Sequence, residues 1–189
     1  MRIEEVVYFS PSYKIESLDF SNKEMIISAF AERIKTFYLD PINLLNNQNN
    51  INFSENPVGY AFASGNILFA LVDAIAKYST SKKNSSERIK EWLQLNINGV
   101  DVPLANKLND YFRNGLIHEA RVKNNGQFSY EINCSVHYEF GIIVVNPLKF
   151  MLEVEIAFSN FISELQTDNN LFTIFQQRLK KDFEVEISM

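Results

Sequence analysis

The segment Tyr111-Phe112-Arg113-Asn114-Gly115-Leu116-Ile117-His118-Glu119 brings an arginine, an amide and one of only two histidines within six residues. An arginine carries a fixed fork of N–H donors that grips phosphate oxygens. A histidine moves a proton near neutral pH. Arg113 and His118 are therefore the minimal equipment for cutting RNA without a metal, one for the charge on phosphorus and one for the proton. Asn114 can position either. The rest of the sequence has no Gly-rich phosphate loop, no Ser-His-Asp set and no His-Glu-x-x-His. Cys134-x-x-His137 has metal-ligand spacing, but a second pair is lacking, so neither a metal site nor a cofactor is expected.

Arg113-Asn114-x-x-x-His118 resembles the Arg-x4–6-His motif of the HEPN superfamily, in the version where a polar residue follows the arginine. Phe112 and Glu119-Ala120-Arg121 also look like the flanks of bacterial HEPN-like proteins. The resemblance implies a small helical bundle, often homodimeric. It implies a metal-independent endoribonuclease of a toxin–antitoxin or phage-defence system, leaving 2′,3′-cyclic phosphate and 5′-hydroxyl ends. In that role His118 would handle the proton, Arg113 the phosphorane charge, and Asn114 the position of the phosphate or the histidine. RNA and an antitoxin protein are the implied partners. Other HEPN proteins have lost catalysis, so a nucleotide- or protein-binding module is the alternative. A structural helical protein with a chance motif is the third reading.

On a straight α-helix at about 100° per residue, with Leu104 at zero, Leu108, Tyr111, Phe112 and Gly115 form the core stripe. Asp110, Asn114 and His118 climb one flank at about 240°, 280° and 320°, which puts His118 at the core edge. Arg113 falls near 180°, about 140° from His118. Either the long arginine wraps round, or a second copy of the helix completes the site across a two-fold axis. A homodimer follows from the second option. Asp110 could orient Asn114 or His118, although solvent exposure is favoured for it, and Arg121 could add positive charge. Glu119 points about 100° away from His118. Gly115 costs roughly 1 kcal/mol relative to Ala in a helix, so close packing against a neighbouring bundle helix is expected there.

These residues need a scaffold. Residues 1–20 read as β-like and irregular, with Val6-Val7-Tyr8-Phe9 contiguous. Ser21-Asn22-Lys23-Glu24 is a capping box that starts a helix towards Leu39, with a continuation through Pro41 to Leu45. Asn46 to Asn56 reads as a loop. Val58 to Tyr78 is apolar nearly all round and should be the central helix, with Asp73 its polar edge. Asn84 caps a short helix to Leu95, and Asp101 with Pro103 opens the motif helix, which ends near Ala120. Asn124-Asn125-Gly126 followed by alternating Phe128, Tyr130 and Ile132 signals a β-hairpin. Phe140 to Val145 reads as a further strand. Asn146-Pro147 opens a long helix to Gln166, and Asp168 or Asn169 caps a last helix to Phe183.

The expected fold is thus mainly α, a bundle of about five or six helices in one domain over residues 1–189. Residues 21–120 and 146–183 form the bundle, and 121–145 a β-hairpin insertion. The chain is long enough for a real core, is 46% hydrophobic and has sixteen phenylalanines to fill it. A single cysteine excludes an internal disulfide framework. No basic n-region precedes an apolar run at Met1, and the apolar stretch Tyr60 to Ile75 is interrupted by Ser64, Gly65, Asn66 and Asp73. The expectation is a cytoplasmic protein with no membrane partner. A net charge of −5 argues against broad, nonspecific nucleic-acid binding but leaves room for a small groove served by Arg113 and Arg121.

Overall fold

The computed structural model describes residues 2–3, 6–51, 57–80 and 82–187. It is mainly helical. The chain opens with short antiparallel strands β1 (Arg2–Ile3), β2 (Val6–Ser10) and β3 (Tyr13–Lys14), in that order across the sheet. Then come α1 (Lys23–Ile34), a π-helical turn (Lys35–Leu39), α2 (Asp40–Ile51), α3 (Pro57–Ser79) and α4 (Ser85–Asn96). The motif lies in one continuous rod of α5 (Val102–Lys107), a second π segment (Leu108–Asn114) and α6 (Gly115–Glu119). Strands β4 (Gly126–Phe128), β5 (Val136–Glu139) and β6 (Ile142–Val145) precede α7 (Pro147–Thr167), α8 (Asn169–Asp182) and α9 (Glu184–Ile187).

The helix starts are set by side-chain caps. Asn84 accepts from the N–H groups of Ser86 and Glu87, Asp101 from Leu104, Asn146 from Leu148 and Lys149, and Asp168 from Asn170 and Leu171. Each such cap stabilises its helix by about 1 kcal/mol. The first helix begins one residue later than the capping box suggests, because Asn22 rather than Ser21 accepts from Met25 N–H, at 3.0 Å. The helix then runs through Pro41 without a break. A proline removes one backbone donor and crowds the preceding turn. The wider π turn at Lys35–Leu39 lies where that crowding falls.

Two expectations are corrected. The Asn-rich stretch begins as helix rather than loop, since α2 continues to Ile51; positions 52–56 lie outside the described residues. Asn46 is buried within that helix and accepts from Ser64 Oγ at 2.9 Å and Tyr130 Oη at 3.1 Å, so an interior polar network holds it there. The second correction concerns residues 121–145. Asn124-Asn125-Gly126 does not join two antiparallel strands. β4 instead pairs in parallel with β6, and the hairpin is β5–β6, with sheet order β4-β6-β5. Asn146 fixes this arrangement. Its amide nitrogen donates to the carbonyls of Tyr130 (3.2 Å) and Ile132 (2.9 Å) while its oxygen caps α7.

The hairpin turn itself is strained. Phe140 and Gly141 are its two central residues, at φ 50° and 81°. Two-residue hairpin turns of this form favour Asn-Gly, because only small residues take positive φ cheaply. A bulky L-residue there costs about 1–2 kcal/mol. Phe140 is 92% exposed and recovers nothing by packing. Phe140→Asn is therefore expected to raise the unfolding free energy by about 1 kcal/mol. Urea titration checks this; an unchanged or lower midpoint would mean that the ring contributes something its exposure hides.

The core is built around α3, which packs against α2, α4, α7 and α8. Its stretch Tyr60–Ser79 is long and apolar enough to cross a membrane by length and composition. In the fold it buries Leu68, Phe69, Leu71, Val72, Ile75 and Ala76 among the other helices. Phe69 stacks on Phe112 of the motif rod at 5.5 Å, and Phe112 meets Phe128 of β4 edge-on at 5.3 Å. Gly65 gives Phe128 its seat: a Cβ there would lie 2.2 Å from the ring. The motif rod is thus wedged between the central helix and the sheet.

A candidate active site at an underwound helix

The π segment changes the azimuth of everything beyond it. A π turn closes i→i+5 bonds and so takes one residue more than an α turn. Later residues are set back by about 100° relative to a straight α-helix. Leu116, off the stripe at about 120° on the straight wheel, comes round to about 20° and joins the core; it is 3% exposed. Gly115 leaves the stripe. His118 swings from the core edge to about 220°, and the structure finds it exposed, not half-shielded as the straight wheel predicts.

At that surface Arg113 and His118 meet within one chain. The Nη1 of Arg113 donates to Asn114 Oδ1 at 2.8 Å and lies 3.5 Å from His118 Nε2, the outer limit of a hydrogen bond. The arginine does wrap round, and no second copy is required to join the two heads. The Nη2 of Arg113 donates to Asp73 Oδ2 of α3 at 2.6 Å. Asp73 is therefore more than the polar edge of an apolar helix. The two side chains are 14% and 24% exposed, and Arg113 Nε is buried without a protein partner among the described residues. Asp73 grips one end of the guanidinium while the other end is shown to Asn114 and His118.

The supporting candidates stand elsewhere. Asp110 faces Lys123 at 3.6 Å, and neither Asn114 nor His118 is its partner in any contact seen. Arg121 pairs with Glu119 at 2.7 Å. Lys123 also reaches Glu119, at 2.6 Å. The Lys123 hydrogen bond, with Arg121 beside it, holds the Glu119 carboxyl below its ordinary range, and the same bond raises the Lys123 ammonium. Gly115 packs against this returning stretch of chain rather than against a bundle helix. A Cβ there would lie 2.4 Å from the Arg121 carbonyl oxygen. Of the remaining candidates, Cys134 is exposed and His137 faces Glu139 at 3.2 Å. Among the described residues no three His, Cys, Asp or Glu side chains gather to hold a metal ion.

Asp73 is the site residue that sequence spacing does not find, because it lies 40 residues before Arg113. The only trace is an acid on an otherwise apolar helix, which signals a partner without naming it. Asp73→Ala is expected to lower stability by about 1–3 kcal/mol, by stranding a largely buried guanidinium. Asp73→Asn, which keeps an acceptor, should lose less. Thermal denaturation of the two variants side by side checks the order; equal losses would assign the whole effect to the carboxylate charge rather than to the acceptor or its packing.

No protein-family model, curated protein or solved structure matches this chain.

Proposed function

We propose that the chain is a HEPN-like, metal-independent endoribonuclease, working in the cytoplasm as part of a toxin–antitoxin or phage-defence system. One observation carries the proposal: a guanidinium clamped by Asp73 presents Nη1 between Asn114 and His118 at an exposed surface. A phosphate set there would meet a fixed donor and a proton carrier side by side. His118 takes the proton of the ribose 2′-hydroxyl. The 2′-oxygen attacks phosphorus, the bond to the 5′-oxygen breaks, and that oxygen leaves with a proton drawn from solvent water. Arg113 stabilises the extra negative charge on the phosphorane oxygens, and Asn114 orients its guanidinium. The products are a 2′,3′-cyclic phosphate and a 5′-hydroxyl.

A homodimer belongs to the proposal through the HEPN resemblance, as the means of closing a groove over the exposed His118. An antitoxin protein would cover the same face. The test is incubation of the purified protein with total tRNA and mRNA in EDTA, with the product ends analysed. Cyclic-phosphate ends support the reading; cleavage that needs Mg²⁺ opposes it. The second reading, a non-catalytic binding module, draws on the Asp73 pairing, since a neutralised guanidinium suits holding a ligand as well as cleaving one. Nucleotide binding without cleavage on any RNA would favour it.

A further inference from the structure

A cavity of about 490 Å³ opens beside the end of the motif rod, lined among others by Ala61 and Phe62 of α3, Arg121, Gln127 and Phe128 of β4, and Tyr130. We propose that this cavity is a nucleobase-binding subsite for single-stranded RNA. Its role as the seat of a base flanking the scissile phosphate rests on the ribonuclease reading above; base binding itself does not.

Four features argue for a base. The volume lies within the usual range for small-molecule sites, about 300–1,000 Å³, and the lining is mostly apolar with a few polar groups, as such sites require. Phe62, Phe128 and Tyr130 supply aromatic surface, the feature that holds unstacked RNA bases. Phe128 is set firmly by Gly65 and by Phe112, and Tyr130 is anchored through its hydroxyl to Asn46, so the aromatic wall is pre-organised. Then β4 is the edge strand of its sheet, leaving outward backbone groups to meet a base edge, with the Gln127 amide beside them.

Position and charge fit the same ligand. Ala120 and Arg121 line the cavity and follow His118 by two and three residues, so the cavity adjoins the end of the motif rod. The Arg121 side chain is 64% exposed even with Glu119 beside it, and its guanidinium can turn to a phosphate. Glu131 in the same lining opposes a second phosphate on that side, which favours a single base over a long charged strand lying across the mouth.

The experiment is calorimetric titration of the full chain with the four nucleoside 5′-monophosphates and, as the base-free control, ribose 5-phosphate. Two variants accompany the wild type: Phe62→Ala, which removes an aromatic face, and Ala61→Phe, which fills the cavity. Nucleotides are expected to bind more tightly than ribose 5-phosphate. Both substitutions should weaken the nucleotides at least about fivefold, the low end for losing one base–aromatic stack, and leave ribose 5-phosphate unchanged. Absence of RNA cleavage would sink the ribonuclease reading and leave the titration untouched. The subsite is overturned if ribose 5-phosphate binds as well as the nucleotides. It is overturned equally if binding is indifferent to both variants. Should Phe62→Ala fail to fold, Ala61→Phe decides alone. If Ala61→Phe splits an oligomer and no base-dependent binding is found, the cavity is a protein contact and the proposal fails.

Discussion

His118→Ala and Arg113→Ala are each expected to lower RNA cleavage by at least about 10²-fold, the scale for losing a proton-transfer group or a charge stabiliser. Wild-type activity should persist in EDTA. The two losses should not multiply in the double variant, because the side chains act on one phosphorane and already touch one another at 3.5 Å. The variants differ in their effect on folding. His118 is exposed, so its replacement should leave the melting temperature near that of the wild type. Arg113→Ala strands Asp73, and should cost stability as Asp73→Ala does. A circular-dichroism melt run beside each cleavage assay separates lost chemistry from lost fold. Cleavage that survives both substitutions would show that the activity arises elsewhere in the chain.

Gly115→Ala is expected to give the largest loss of stability among conservative changes in the rod. Alanine is the better helix former by about 1 kcal/mol, so propensity alone predicts a gain. Against it stands a Cβ set 2.4 Å from the Arg121 carbonyl oxygen and 3.2 Å from the Lys123 nitrogen. These are backbone atoms and cannot rotate away. They are also tied: Arg121 N–H donates to the Gly115 carbonyl at 3.1 Å, and Lys123 N–H to the Tyr111 carbonyl at 2.9 Å. Relief requires the chain after the rod to lift off, breaking those bonds and the Glu119 ion pairs. A net loss of about 2 kcal/mol results from the balance of overpacking against propensity. Urea denaturation measures it; a variant as stable as the wild type would mean that the returning chain is not held where the structure puts it.

The helical part of this fold is legible because its signals are local. Asn84, Asp101, Asn146 and Asp168 each cap the helix that begins beside them, and the uniform hydrophobicity of Val58–Tyr78 marks the helix at the centre. The sheet is less legible. A parallel β4–β6 pair leaves no turn signature, and its registration depends on Asn146 reaching back to the carbonyls of Tyr130 and Ile132. Asn-Asn-Gly marks a real change of direction, with Asn124 at φ 51°, but β4 then passes over the nearer β5 and pairs with β6. At the site, the motif residues are visible from spacing, whereas Asp73 is joined to them only by tertiary packing. The orientation of His118 is not readable from a wheel that assumes one winding throughout.

That winding makes the site depend on how the rod is coiled as well as on residue identity. Rewinding Leu108–Asn114 into an ordinary α-helix at constant length would advance every later residue by about 100°. Leu116 would rotate out of the core and His118 back against it, with arginine, asparagine and histidine all still present. The chain therefore stores part of its candidate chemistry as a phase, in the same way that a thread stores the angle at which a screw stops. Deleting one residue within Leu108–Asn114 is expected to give a plain α-helix with Leu116 and His118 in their present places, whereas deleting one between Gly115 and Ile117 would turn His118 by about 100°.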